Sequence, residues 1–203
     1  MKFNVNSPIF SFLDTFARFV CLNIVFLVTC LPVVTIGTAV CALYQTMFKY
    51  IENEDIKLVN TYIGRLKSNL ADGTKAFLLL FLAAAVISYN LFFWYNLKST
   101  LGMIVFGIMI LAAIALVISS VFLFPLVAHF KNTLFRTVEN SFFISVRNLR
   151  MTVILLLIDA GAFSLAYFSG FFRVMYIIFG LAFIIYCKSL IISKVFQKYA
   201  ARN

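Results

Sequence analysis

CLPVVTIGTAVCALYQ, residues 30–45, lies inside an uncharged run from 19 to 48 that is too long for one comfortable membrane crossing and too short for two separate ones. A helix crosses the hydrocarbon core with about 20 residues. Pro32 removes a backbone donor and disfavours helical geometry at Leu31, while Gly37 supplies backbone freedom shortly after it. LPVVTIG therefore reads as a turn between two helices, with Pro32 and Gly37 as its hinge. The first helix starts at Ser7-Pro8, an N-cap followed by proline at the first helical position, and runs through 8–30. The second runs over 35–51 into the charged patch ENED at 52–55.

Outward from this block the chain stays apolar. Of its 203 residues 64% are hydrophobic and 12% charged, against about 45–50% and about 25% in soluble domains. Further spans are read at 76–97, 103–128, 151–169 and 174–193, with Trp94 and Tyr95 as interfacial aromatics and Pro125 as a bend before His129. The fold class expected is an all-α polytopic membrane bundle of six spans, or five if residues 30–45 belong to one bent helix. It forms one integral membrane domain over 1–203, which leaves no room for a soluble catalytic domain. Lys2 is the only positive charge before Arg18 and no A-x-A site closes the first run, so the N-terminus is expected to stay attached.

Two segments between spans carry charge. In DIKLVNTYIGRLKSNL, Ile56, Val59, Ile63, Leu66 and Leu70 recur at spacings of three and four, with Lys57, Arg65 and Lys67 largely off that stripe. KNTLFRTVENSFFISVRNL at 131–149 repeats the pattern with Phe135, Val138, Phe142 and Leu149. Both read as amphipathic helices along the membrane surface. An offset of 79 residues superimposes Ile56 on Phe135, Lys57 on Arg136, Val59 on Val138 and Asn69-Leu70 on Asn148-Leu149, an internal duplication or a convergent surface-helix pattern. The cations Lys57, Arg65, Lys67, Arg136, Arg147 and Arg150 are the candidate surface for docking a partner.

Lysine and arginine are retained in cytoplasmic loops. Placing both connectors and the C-terminal end inside puts 13 of the 17 basic residues there. With a hairpin at Pro32, Lys2 and Arg18 join them, leaving Lys98 and Arg173 outside; with five crossings all four lie outside. The count favours six spans with both termini cytoplasmic and an external turn at Pro32. The excess of 17 basic over 7 acidic residues thus reads as topology rather than nucleic-acid binding, since no basic run with stacking aromatics occurs outside the spans.

Asp159, in ILLLIDAGAF, is the acid set deep inside a span, and such a residue needs a partner. Lys188 on the following helix lies at similar depth across the hairpin. A pair could gate, bind a polar solute or relay a proton. Alternatively Lys188 snorkels to the surface while Asn23, Asn90 or a serine satisfies Asp159. Asp14 and Arg18 can pair across one helical turn. Cys21, Cys30, Cys41 and Cys187 form no C-x-x-C pair and read as packing. His129, the single histidine, offers no zinc ligand set, and no H-E-x-x-H, G-x-S-x-G or P-loop occurs, so no cofactor, metal or enzymatic activity is expected.

FNVNSPIF, LNIVFLVTCLPVVTIGTAVCALY, YIGRLKSN and FPLVAHFKNTLFRTVENSFFISVRNL follow one another in an order that resembles the YesL-like family of small bacterial membrane proteins. The LPVVTIG block leading into ALY is the most specific part. The family has no assigned activity, so the resemblance carries no catalytic residues. It implies a Gram-positive setting beside carbohydrate importers of the ATP-binding cassette type and glycan-degrading enzymes. A non-enzymatic accessory role in sugar uptake or its regulation follows as the expectation, with a permease or membrane sensor as partner. A small-solute carrier or channel around Asp159 is the alternative.

Overall fold

The computed structural model describes residues 8–97 and 99–200, and the expected N-cap Ser7 and the charges Lys2, Lys98 and Arg202 lie outside them. Its described residues are mostly helical, without a strand. The order is α1 (Pro8–Cys30), a 3-10 turn (Val33–Thr35), α2 (Ile36–Glu52), α3 (Leu58–Ser68), α4 (Leu70–Asn96) and α5 (Thr100–His129). Then come α6 (Leu134–Arg147), α7 (Leu149–Phe168), α8 (Gly170–Met175), a π turn (Tyr176–Gly180) and α9 (Leu181–Ala200).

Local chemistry sets several boundaries. The Ser99 hydroxyl accepts from the Gly102 amide at 3.0 Å and caps α5. The Arg173 guanidinium donates to the carbonyls of Ala166 and Tyr167 at 3.3 and 3.1 Å, placing a cation at the negative end of the α7 dipole. Pro125 sits inside α5, fully buried, and does not end it.

Five helical stretches among the described residues are long and apolar enough to cross a membrane: Phe12–Cys30, α4, α5, α7 and the continuous rod Gly170–Tyr199. The chain is therefore an all-α, multi-pass bundle. Six spans were expected, with five as the alternative, and the difference is α2. It has 17 residues, about 26 Å of helix, short of the ~30 Å hydrocarbon core. It is also buried nearly all round, from Gly37 to Tyr50. A helix covered on every side belongs to a protein core. Leu22, Phe26, Leu58 and Tyr62 pack on one side of α2, and Phe122, Leu126, Leu155, Ile192 and Phe196 on the other.

The Pro32–Gly37 turn also lies elsewhere than charge counting placed it. The Val34 carbonyl accepts from Thr74 Oγ1 at 3.4 Å, and Thr38 Oγ1 donates to the Leu70 carbonyl at 3.3 Å. Gly37 and Gly73 bring the backbones of α2 and α4 together, since a Cβ on Gly73 would stand 2.6 Å from Thr38 Cα. The turn thus sits beside the first turns of α4, next to connector α3, and α4 continues from Thr74 for roughly 33 Å to Asn96. It is not on the opposite end of the bundle. The reason is composition: Leu31, Val33 and Val34 are exposed and uncharged, so this turn can rest against lipid and has no weight in a charge count.

The ends of α2 and α5 meet, with the rings of Phe48 and His129 5.5 Å apart, so α3 and α6 leave from the same end. Gln45 ties that end together: its amide donates to the Ala128 carbonyl at 2.7 Å and its oxygen accepts from Asn69 at 2.8 Å. Asn69 and Asn148 hold equivalent places. Each sits between a connector helix and the next span, and each donates to the carbonyl four residues back, Arg65 at 2.8 Å and Ile144 at 2.9 Å. The 79-residue offset therefore relates two junctions of the same construction.

Candidate functional site

The α7–α9 hairpin is antiparallel and fixed at two levels. Asn148 Nδ2 donates to the Tyr199 hydroxyl at 2.9 Å at its base. About three turns further in, Lys188 Nζ donates to Asp159 Oδ2 at 2.6 Å. The structure thus brings Asp159 and Lys188 together. Their cover is unequal: 10% of the lysine side chain is exposed and 46% of the aspartate's. The phenol of Tyr44, buried on α2, lies beside the Lys188 ammonium and carries the cluster into the core. Next to Lys188, the fully buried Ser189 hydroxyl has no hydrogen-bond partner.

Asn23 and Asn90 do not serve Asp159. Asn90 donates to the Val86 carbonyl of its own helix at 2.8 Å. Asn23 is fully buried on α1 and faces the π turn of the last span. Its amide donates to the Ile177 carbonyl at 2.6 Å, and its oxygen accepts from the Ala182 amide at 2.8 Å. A π turn displaces the regular ladder, and one side-chain amide here matches both a carbonyl and an N–H around it. Asn23 is thus a clamp on a helix irregularity, a role invisible in a sequence where nothing marks the π turn.

The connectors differ from each other. α3 buries Leu58 and Tyr62, with Ile56, Val59 and Leu66 of its apolar stripe packed on the same core, while Ile63 and Leu70 are exposed. Tyr62 and Thr29 share a 2.5 Å hydrogen bond that ties α3 to the end of α1, and burial pushes the Tyr62 phenol well above its ordinary range. α6 does the reverse. Its buried residues are Thr137, Ser141 and Ser145, while Phe135, Phe142 and Leu149 are exposed. Lys57, Lys67, Arg136, Arg147 and Arg150 are exposed and Arg65 is half-buried. The two ion pairs among the described residues, Asp14–Arg18 and Asp159–Lys188, involve none of them. His129 rests against the rings of Phe48, Phe130 and Phe196. No group of three metal-ligating side chains occurs among the described residues.

The segment from α1 through most of α4 carries the family signal. Residues 19–91 match the model of a family described as a protein of unknown function, DUF624. The match spans the LPVVTIG turn, α2 and connector α3. No curated protein and no solved structure matches the chain. Gln45 and Tyr44 stand out only once the helices are packed. Asn69 and Asn148 had one sequence signal, their coincidence at the 79-residue offset.

Proposed function

We propose that this chain is a non-enzymatic accessory protein of the bacterial plasma membrane, of the YesL-like kind, that docks a partner at its basic end. The partner class is a carbohydrate-importer permease of the ATP-binding cassette type or a membrane sensor, as the family resemblance implies. One observation carries the docking reading: the cations Lys57, Arg65, Lys67, Arg136, Arg147 and Arg150, on or beside two connectors that leave from the same end, make no ion pair among the described residues, whereas the intramembrane charges close on each other at 2.6 Å. Exposed, unneutralised charge at a cytoplasmic face is suited to steering a partner.

Copurification in mild detergent tests this. The wild-type chain is expected to retain an importer permease or sensor that Lys57→Glu, Arg65→Glu and Lys67→Glu together release, with unrelated membrane proteins at equal yield in both. Retention unaffected by those changes overturns docking through the connectors. A reporter at residue 5 reads out which side the N-terminus occupies.

A second reading, a small-solute carrier or channel, draws on the half-exposed Asp159 and the unpartnered Ser189 hydroxyl. Solute flux into liposomes holding the purified chain alone, lost in Asp159→Asn, replaces the docking reading with this one.

A further inference from the structure

An α6 turned inside out relative to its composition has a specific consequence. Thr137, Ser141 and Ser145 recur every fourth residue, forming one stripe, and are 3%, 0% and 0% exposed. Small hydroxyl residues let α6 approach α5 closely, and Ser145 Oγ donates to the Ile118 carbonyl at 2.9 Å. With that face sealed, the opposite one must carry the aromatics. Phe135 is 85%, Phe143 54% and Val146 42% exposed. At 100° per residue, Arg136 and Arg147 fall together on one flank of that face. On the other flank α6, α4 and α5 enclose a groove of about 610 Å³, lined by Leu79, Leu80, Leu116, Phe135 and Phe142, with Glu139 also on its wall.

We propose that α6 is an interfacial helix embedded in the anionic headgroup layer. Its phenylalanines enter the acyl boundary, the α4–α5–α6 groove takes acyl-chain methylenes, and Arg136 and Arg147 bind lipid phosphates. Three features favour lipid over a protein as the occupant. The groove walls are themselves candidate membrane spans, so the exposed face of α6 continues the lipid-facing surface of α4 and α5. The segment 131–150 carries Lys131, Arg136, Arg147 and Arg150 against Glu139 alone, the charge complement of an anionic leaflet. And α3, which packs Ile56, Val59 and Leu66 on the protein core, shows that a connector here can bury most of its apolar stripe, as α6 does not. The inference narrows the docking reading: with the α6 arginines on lipid, a protein partner is left to Lys57, Arg65 and Lys67.

The test uses the full chain with Cys21, Cys30, Cys41 and Cys187 replaced, reconstituted in vesicles of phosphatidylglycerol and phosphatidylcholine. An environment-sensitive fluorophore is placed at Phe135→Cys and, separately, at Val146→Cys, both exposed positions that sacrifice little packing. Nitroxide lipids labelled near the headgroup are expected to quench both, and aqueous iodide to quench neither. Arg136→Gln with Arg147→Gln is expected to lower the enrichment of phosphatidylglycerol around the protein by roughly five-fold per arginine. Iodide quenching without lipid quenching overturns the proposal in favour of a solvent-facing or protein-docking surface. Protection from both quenchers that disappears on dilution into excess lipid overturns it in favour of a second copy. Unchanged phosphatidylglycerol enrichment in the arginine variant overturns the phosphate contact.

Discussion

Lys188 and Asp159 meet at 2.6 Å across the α7–α9 hairpin, and the lysine is much the better covered of the two. Removing the aspartate leaves an enclosed ammonium without counter-charge, and breaking a buried pair from one side costs about 3–5 kcal/mol. Removing the lysine leaves a carboxylate that is half-exposed at the protein surface rather than enclosed. Asp159→Leu is therefore expected to lower the thermal midpoint in detergent more than Lys188→Met, with the double variant recovering most of the loss. Equal losses and no recovery contradict this account.

Gly37 and Gly73 close the α2–α4 contact. A Cβ on Gly37 would collide with the Gly73 carbonyl oxygen and Phe77 Cβ, and backbone cannot move aside as a side chain does. Gly37→Ala and Gly73→Ala are each expected to cost at least ~1–3 kcal/mol. Gly107→Ala and Gly161→Ala, whose added methyl meets nothing within 4 Å, serve as controls and stay within about 0.5 kcal/mol or gain stability from helix propensity. Thermal unfolding of all four separates the outcomes.

Asn23→Leu keeps the volume of the buried side chain but strands the Ile177 carbonyl and the Ala182 amide. Leaving such groups unsatisfied costs about 1–3 kcal/mol. Hydrogen exchange over residues 176–182 is expected to speed up in the variant before the rest of α9 changes. Exchange rates that match wild type there refute the clamp.

Burial, reinforced by Asp72, raises the Cys41 thiol from 9.0 to about 12. Because the folded value lies above the unfolded one, the associated stability is complete below pH 9 and falls as pH rises toward 12. At neutral pH the thiolate, the reactive form, is absent. A maleimide is expected to spare Cys41 in the folded protein and to modify it only on unfolding, and mass spectrometry of its peptide reads this.

Much of the bundle was legible because its signals are local. Uncharged runs near the length of the hydrocarbon core mark spans, and the periodic stripes of α3 and α6 mark connectors. The depth of Asp159 and Lys188 in consecutive spans followed from counting residues along a hairpin. What local signals left open was what each face packs against. α6 has an obvious aromatic stripe, yet its inconspicuous hydroxyl stripe is the buried one. Asn23 looked like a partner for a charge and instead holds backbone groups of a helix distant in sequence.

The block CLPVVTIGTAVCALYQ divides along the same line. Its sequence determined that the chain turns at Pro32 and resumes as a helix, because the missing donor and the proline ring act on the nearest residues alone. Only tertiary structure decided that this helix is the covered centre of the bundle rather than a sixth crossing. That outcome rests on contacts with α1, α3, α4, α5 and α9 and on the glycine contact with α4, which arise only when the helices assemble.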